Sequence, residues 1–149
     1  MTWLPDVNVL VALAWPQHVA HLVATRWFEE SADDGWSTCP ITEAGFMRIS
    51  ATERVVGVAV RPRESRAMLL AARSVGKFTW VSDDVDLVAS DAFPADRLVG
   101  HRQVTDAHLL ALCRVHGATL VTLDKGLVTL ARGLPGVEVR LLTDAATQH

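Results

Sequence analysis

Four carboxylates from distant parts of the chain follow predicted strands or begin a predicted helix. Asp6 and Glu43 follow two short apolar runs, Asp106 opens a helix, and Asp124 directly follows the strand after that helix. If these acids met in one cleft, they would repel one another unless cations bound between them. Mg²⁺ and Mn²⁺ prefer oxygen ligands, activate water and neutralise charge on a phosphodiester. The pattern therefore predicts a divalent-metal site suited to hydrolysis.

Each of these acids taken alone is more typical of a helix cap or a turn than of a catalytic site. The combination is more specific. Asp6 and Glu43 lie in the largely apolar segments 4–10 and 41–46, where an unpaired charge is costly.

The elements that must position the acids alternate along the chain. Short apolar runs at 3–4, 36–39, 78–82, 119–123 and 137–142 predict five strands. Patterns of helical period predict helices at 19–30, 41–50, 64–75 and 105–115, the first of them with an apolar stripe of Val19, Leu22, Val23 and Trp27. The alternation predicts an α/β domain with a mainly parallel sheet, whose ligand sites gather beyond the carboxyl ends of the strands.

Composition limits the class of protein. Half of the 149 residues are hydrophobic, which suits one domain over 1–149 with a sizeable core. The two cysteines have no partner at zinc-like spacing, as expected of buried thiols in a reducing cytoplasm. We expect neither export nor a membrane span, because Asp6 and Asn8 interrupt the first apolar run and other uncharged stretches are short. A net charge of −3 argues against a broad basic surface for nucleic acid.

The order of the acids and their surrounding residues resembles a PIN domain of the VapC toxin family. The resemblance spans nearly the whole chain and is closest at Val104-Thr105-Asp106-Ala107-His108-Leu109 and Leu120-Val121-Thr122-Leu123-Asp124. It implies a PIN-like three-layer fold and a cytoplasmic toxin that inhibits translation. The implied reaction is Mg²⁺- or Mn²⁺-assisted hydrolysis of RNA by water, with transfer RNA or another structured RNA as substrate. A VapB-like antitoxin and a homodimer are the implied partners.

By this resemblance, Asp6, Glu43, Asp106 and Asp124 form the metal pocket, with Asp6 and Asp106 the first candidates for direct ligands. Asn8 and Thr122 support the pocket by hydrogen bonds, and Glu43 positions or deprotonates the attacking water. Two departures from the family pattern stand out. Val7 replaces a hydroxyl residue common in the family, and Lys125-Gly126-Leu127 lacks the further acid that some members carry, which puts a second metal site in doubt.

Other side chains have weaker claims to a role. Arg102 and Lys125 are the basic residues nearest the acidic motifs in sequence and are candidates for RNA phosphate contacts.

His18 and His21 have the spacing of one helical turn but no accompanying acidic motif, which favours an ordinary surface pair over a metal site. Trp3, Trp27, Trp36 and Trp80 lie in apolar patterns that predict core packing.

Two alternatives remain open from the sequence. The chain could be a catalytically silent PIN-like scaffold whose acids serve folding or assembly. It could also be a phosphatase that forms an aspartyl phosphate at Asp6, although that chemistry usually needs a second Asp where Asn8 stands.

Overall fold

A five-stranded parallel sheet forms the centre of the protein. The structure, a computed structural model, describes residues 2–52 and 60–143. The strands lie in the spatial order β3-β2-β1-β4-β5, and every neighbouring pair is parallel. Their bounds are β1 Thr2–Pro5, β2 Trp36–Thr38, β3 Phe78–Trp80, β4 Ala118–Thr122 and β5 Glu138–Leu141. All five predicted strands are therefore confirmed, with shifts of one or two residues at their ends.

Helices cover both faces of this sheet. Within the described ranges they are α1 Val7–Ala14, α2 His21–Ser31, α3 Pro40–Ser50, α4 Pro62–Ala72, α5 Val104–His116 and α6 Lys125–Ala131. Leu120 packs with α5 and α6, whereas its neighbour Val121 packs with α1 and α2. Because successive residues of a strand point to opposite faces, this division produces the predicted three layers.

The sequence patterns predicted four of these helices and missed α1 and α6. α1 is rich in Val, which favours strands, but residues 9–12 are all buried, so packing against the sheet outweighs local preference. α6 has only seven residues, too few for a clear helical period. In each case the preceding Asp accepts a hydrogen bond from a backbone N–H of the first turn, which fixes where the helix begins.

The predicted apolar stripe of α2 is partly wrong. Val19 precedes the helix and is 98% exposed, and Leu22 is 79% exposed. Trp27 is buried as predicted and contacts Trp3 and Phe28 edge-on or tilted. The helix is therefore held to the sheet by a narrower face than its composition indicated.

Trp80 also departs from the prediction of core packing. It lies at the end of β3, the outermost strand on its side of the sheet, and is 45% exposed. Trp36, one strand further in, is buried and donates its indole N–H to Val75 O at 2.8 Å. An apolar strand pattern does not distinguish an edge strand from a central one, which explains the error.

The strand order reverses direction beside β1. The chain proceeds from β1 to β2 and β3 on one side, then returns to β4 and β5 on the other. The carboxyl ends of β1 and β4 thus frame the crevice where open α/β sheets bind ligands. None of the helices in residues 2–52 and 60–143 is long and apolar enough to cross a bilayer.

Candidate active site

Asp6 occupies the first position after β1, and the fold fixes its backbone and its side chain. Its amide donates to Val121 O at 2.8 Å, which ties it to β4. Its Oδ1 accepts from the Val7 amide at 2.8 Å and its Oδ2 accepts from the Thr122 hydroxyl at 3.1 Å. Asp6 is only 8% exposed, so this carboxylate is held at the mouth of the crevice in one orientation.

Thr122 connects three of the predicted site residues. Besides donating to Asp6, its hydroxyl accepts from the Asp124 amide at 3.0 Å and lies 3.5 Å from Asn8 Nδ2. Asn8 Oδ1 accepts from the Leu123 amide at 3.3 Å. Asn8 and Thr122 therefore join the start of α1 to the end of β4, and their role in supporting a metal pocket stays a prediction.

Asp6, Asp106 and Asp124 act electrostatically on one another. Burial, followed by the negative charges of Asp6 and Asp124, raises the pKa of Asp106 to about 6. Burial also raises the pKa of Asp6; hydrogen bonds from Val7 and Thr122 oppose this rise, and the charge of Asp124 adds to it. Asp106 forms no hydrogen bond or ion pair with a residue of the described ranges. The repulsion among these three acids is therefore not relieved by a cationic side chain at Asp106.

Helix N-termini surround this acidic cluster. Asp6 and Asp124 cap α1 and α6, and Asp106 lies in the first turn of α5. Backbone N–H groups at helix starts favour negative charge, which partly offsets the cost of placing carboxylates there. The arrangement can keep several acids together before any ligand binds.

Glu43 is held differently from the three aspartates. It lies in the first turn of α3, where its Oε1 accepts from the Thr38 hydroxyl and from Arg73 Nη2, both at 2.7 Å. Its charge is not among those that shift the pKa of Asp6 or Asp106. The structure thus brings three of the four predicted acids close enough to affect one another electrostatically and pairs the fourth with an arginine.

Arg102 and Lys125 are both exposed and make no hydrogen bond or ion pair in the part of the chain that the structure describes. Lys125 begins α6 directly after Asp124, and Arg102 lies in the 3₁₀ turn His101–Gln103 that leads into α5. Their role as phosphate contacts stays a prediction. His21 Nδ1 lies 2.7 Å from Ala12 O, so His21 is engaged with backbone.

The sequence did not predict the two residues that contact Glu43. Arg73 lies 30 positions beyond its partner Glu43 and near the end of a different helix, so no local motif joins them. Thr38 ends β2 and resembles any strand threonine until its bond to Glu43 is seen. The sequence also did not predict two contacts of α5. His108 Nε2 lies 2.7 Å from Asp83 Oδ1, and His116 Nε2 lies 2.7 Å from Asp84 Oδ1. These contacts tie the loop after β3 to α5.

The side chains do not form a closed metal cage. Within residues 2–52 and 60–143, no group of three His, Cys, Asp or Glu side chains is placed to hold one ion directly. Mg²⁺ often uses one or two carboxylates and keeps several waters, so a cage is not a requirement for that ion. Oxygen donors with uncompensated charge are nevertheless the donor set that such an ion prefers.

Comparison with known proteins agrees with this geometry. The family model described as PIN domain matches residues 4–133. The chain is 49% identical over 140 residues to Ribonuclease VapC38 of Mycobacterium tuberculosis strain H37Rv, covering 94% of this chain and 97% of that protein. It is 47% identical over 131 residues to Ribonuclease VapC39 of the same strain, covering 88% and 94% respectively.

Solved structures share the fold at low sequence identity. A DNA-bound VapBC from Salmonella typhimurium aligns with a TM-score of 0.63 and 12% identity over 96% of this chain and 99% of that one. FitAcB from Neisseria gonorrhoeae aligns with a TM-score of 0.57 and 18% identity over 94% and 96%. The family match and the two curated relatives together show that this chain belongs to the PIN-domain family and, within it, to the VapC ribonucleases.

Proposed function

We propose that this protein is a toxin endoribonuclease that hydrolyses RNA phosphodiester bonds with Mg²⁺ or Mn²⁺ and water. The observation that carries the proposal is the cluster of Asp6, Asp106 and Asp124, in which burial and then the charges of Asp6 and Asp124 raise the pKa of Asp106 to about 6. Clustered carboxylates destabilise the fold, whereas a bound divalent cation relieves their repulsion and can then hold a phosphate. The substrate class follows from the ribonuclease relatives.

The residues present fit a hard divalent cation. Asp6 and Asp106 are the proposed direct ligands, with Asp124 as a further ligand or a contact through water. A bound divalent ion would neutralise charge on the scissile phosphate and make the attacking water more acidic. Occupancy of a second site is less favoured, because Lys125 places a positive charge beside Asp124 where a further acid would be needed.

The protein's own groups would orient this chemistry. The bonds from Val7 and Thr122 hold both oxygens of Asp6 at a fixed angle, and Asn8 braces the same end of β4. Glu43 Oε1 is engaged by Thr38 and Arg73, which leaves Oε2 free to orient an attacking water and accept its proton. Attack in line would release the 3′ oxygen and leave a 5′ phosphate.

The first experiment is cleavage of a mixed pool of structured RNAs, transfer RNA included, with and without Mg²⁺ or Mn²⁺. Asp6→Asn and Asp106→Asn should each abolish cleavage, whereas Asp96→Asn, an exposed acid in the 3₁₀ turn Ala95–Arg97, serves as the matched control. Metal-dependent cuts that leave 5′ phosphates support the proposal. Inactivity of folded wild-type protein across the pool would instead favour the scaffold. Phosphate trapped covalently on Asp6 would favour the phosphatase.

We also propose that a VapB-like antitoxin neutralises this protein. The Salmonella typhimurium structure that shares this fold is a DNA-bound VapBC, and this chain has an apolar surface that a partner protein could cover. A cleft of about 400 Å³ lies among α1, α2, α3 and α4, lined largely by apolar side chains that include Leu10, Leu13, Phe28, Phe46 and Met68. Such a cleft suits the apolar face of a partner helix.

The partner proposal has two tests. Co-expression with the antitoxin should restore growth that the toxin alone arrests, and Leu13→Asp should abolish that rescue while retaining cleavage. Homodimerisation is a separate expectation, checked by light scattering over a range of protein concentrations. A monomer at micromolar concentration would refute the dimer without affecting the proposed nuclease.

A further inference from the structure

A cleft with two arginines lies beside Glu43, on the side of α3 that faces α4. It encloses about 270 Å³ and is lined by Glu43, Met47, Arg66, Leu69, Leu70 and Arg73. Arg66 lies on α4 and Arg73 caps its carboxyl end seven residues later in a helical conformation, so the two lie about two turns apart on the same helix face. Arg66 is exposed and forms no hydrogen bond or ion pair within the described ranges. The cleft thus carries a free cation next to one acid of the site.

Arg73 joins this cleft to an exposed aromatic ring. Its guanidinium carbon lies 5.0 Å from the ring centre of Phe78 and 4.9 Å from that of Trp80. Only Nη2 bonds to Glu43, and its Nε is buried without a hydrogen-bond partner in the described part of the chain. A guanidinium has five N–H donors, so Arg73 retains donors on its exposed side for an acceptor.

Trp80 is an exposed side chain at the edge of the sheet where ligands are expected to bind. It ends β3 at the same carboxyl edge of the sheet where Asp6 and Asp124 follow β1 and β4. The indole remains 45% exposed although Arg73 lies over its ring. An exposed indole with a guanidinium on its ring is an arrangement that stacks nucleobases in single-stranded RNA and DNA.

We infer that this cleft and the indole of Trp80 beside it, which Arg73 connects, together bind one unpaired nucleotide of the RNA substrate next to the scissile bond, with its base stacked on Trp80 and its phosphate on Arg66 and Arg73. The inference rests on the proposed ribonuclease function and adds to it the place where the strand is held. A protein with a net charge of −3 and an acidic cluster needs local cations to retain a polyanion, and this cleft supplies the unpaired Arg66 and the remaining N–H donors of Arg73. A base explains the exposed indole, which an acidic peptide would not require.

The test measures binding apart from cleavage, in the Asp6→Asn background. Fluorescence anisotropy would follow a labelled short single-stranded RNA and, as competitor, inorganic polyphosphate, which has the charge but no bases. Trp80→Leu should weaken RNA binding roughly ten-fold, as expected for one lost base stack, and leave polyphosphate binding unchanged. Trp80→Phe should retain most of the affinity. Arg66→Gln should weaken both ligands and reduce the salt dependence of log K by about 0.7, whereas Arg132→Gln, at the far end of α6, should not.

The outcomes separate this inference from the proposed function. Equal RNA affinities for Trp80→Leu and Trp80→Phe would overturn the stacking site, even if Asp6→Asn abolishes cleavage. Loss of affinity for the antitoxin instead of RNA in Trp80→Leu would also overturn it, by assigning the surface to a protein. If wild-type protein cleaves no RNA but Trp80→Leu still loses affinity, the proposed function fails and the nucleotide site stands.

Discussion

Removing the charge of Asp106 should stabilise the metal-free protein while destroying its activity. Asp106 is ionised at neutral pH against the charges of Asp6 and Asp124, and no cation of the described chain is paired with it. Asp106→Asn retains the shape and removes the repulsion. A catalytic group that costs stability is expected where a site is built to receive a cation.

The size and the sign follow from the pKa of Asp106, which rises from 3.8 to about 6 on folding. A raised carboxyl pKa means that stability falls as the pH increases from about 4 to about 6, with the full loss present above that window. The shift corresponds to about 3 kcal/mol, which solvent around a half-buried group reduces to about 2 kcal/mol. For a chain of this length that amounts to an increase in Tm of roughly 4 to 8 °C for Asp106→Asn at pH 7.5.

Thermal unfolding followed by circular dichroism in EDTA at pH 7.5 and pH 4.5 would measure the effect. The advantage of Asp106→Asn should shrink at pH 4.5, because the wild-type carboxyl is then mostly protonated in the folded state. Added Mg²⁺ should raise the Tm of the wild type and not that of the variant. A variant less stable than wild type in EDTA at pH 7.5 would refute the reasoning, since burial and repulsion of the Asp106 charge would then not dominate at this position.

Three further substitutions test the packing around the site. Gly45→Ala places a Cβ 2.6 Å from Val7 Cγ2, so the free energy of unfolding measured in urea should fall by about 1–3 kcal/mol. This loss should be smaller in a Val7→Ala background, and equal losses in both backgrounds would contradict the contact. Thr122→Val removes the hydroxyl that donates to Asp6, so the free energy of unfolding should fall by about 2 kcal/mol in the same assay. The variant should also lower kcat for RNA cleavage, and an unchanged kcat would exclude a supporting role. Gly117→Ala, at φ 66 with open space around it, should cost only about 1 kcal/mol and leave cleavage intact.

The general architecture could be predicted because it depends on patterns that the sequence carries directly. The last four strands each begin within two residues of a glycine, and α5 ends at Gly117, whose left-handed conformation suits glycine. Elements whose identity depends on burial were harder to predict. α1 is helical although its valines favour a strand, and Trp80 is exposed because β3 is an edge strand, which only the strand order reveals.

The predicted aspartates could be located because strand ends and helix starts mark the carboxyl edge of a parallel sheet. Thr122 contacts both Asp6 and Asp124, and Asn8 contacts Thr122 and the Leu123 amide, while their role in a metal site stays a prediction. The environment of Glu43 could not be predicted. Its ion pair with Arg73 depends on how α3 packs against α4, which spacing along the chain does not encode.

This difference between Glu43 and the aspartates bears on their division of labour. An acid that already has an arginine at 2.7 Å has less to gain from a metal ion than an acid facing only other acids. Direct metal binding by Glu43 would require the ion to compete with Arg73 or to use Oε2 alone. Asp106 has no such competitor in the described chain. The charge distribution therefore favours the proposal that Asp6 and Asp106 are the ligands and that Glu43, held in place by Arg73, is the group that faces the water.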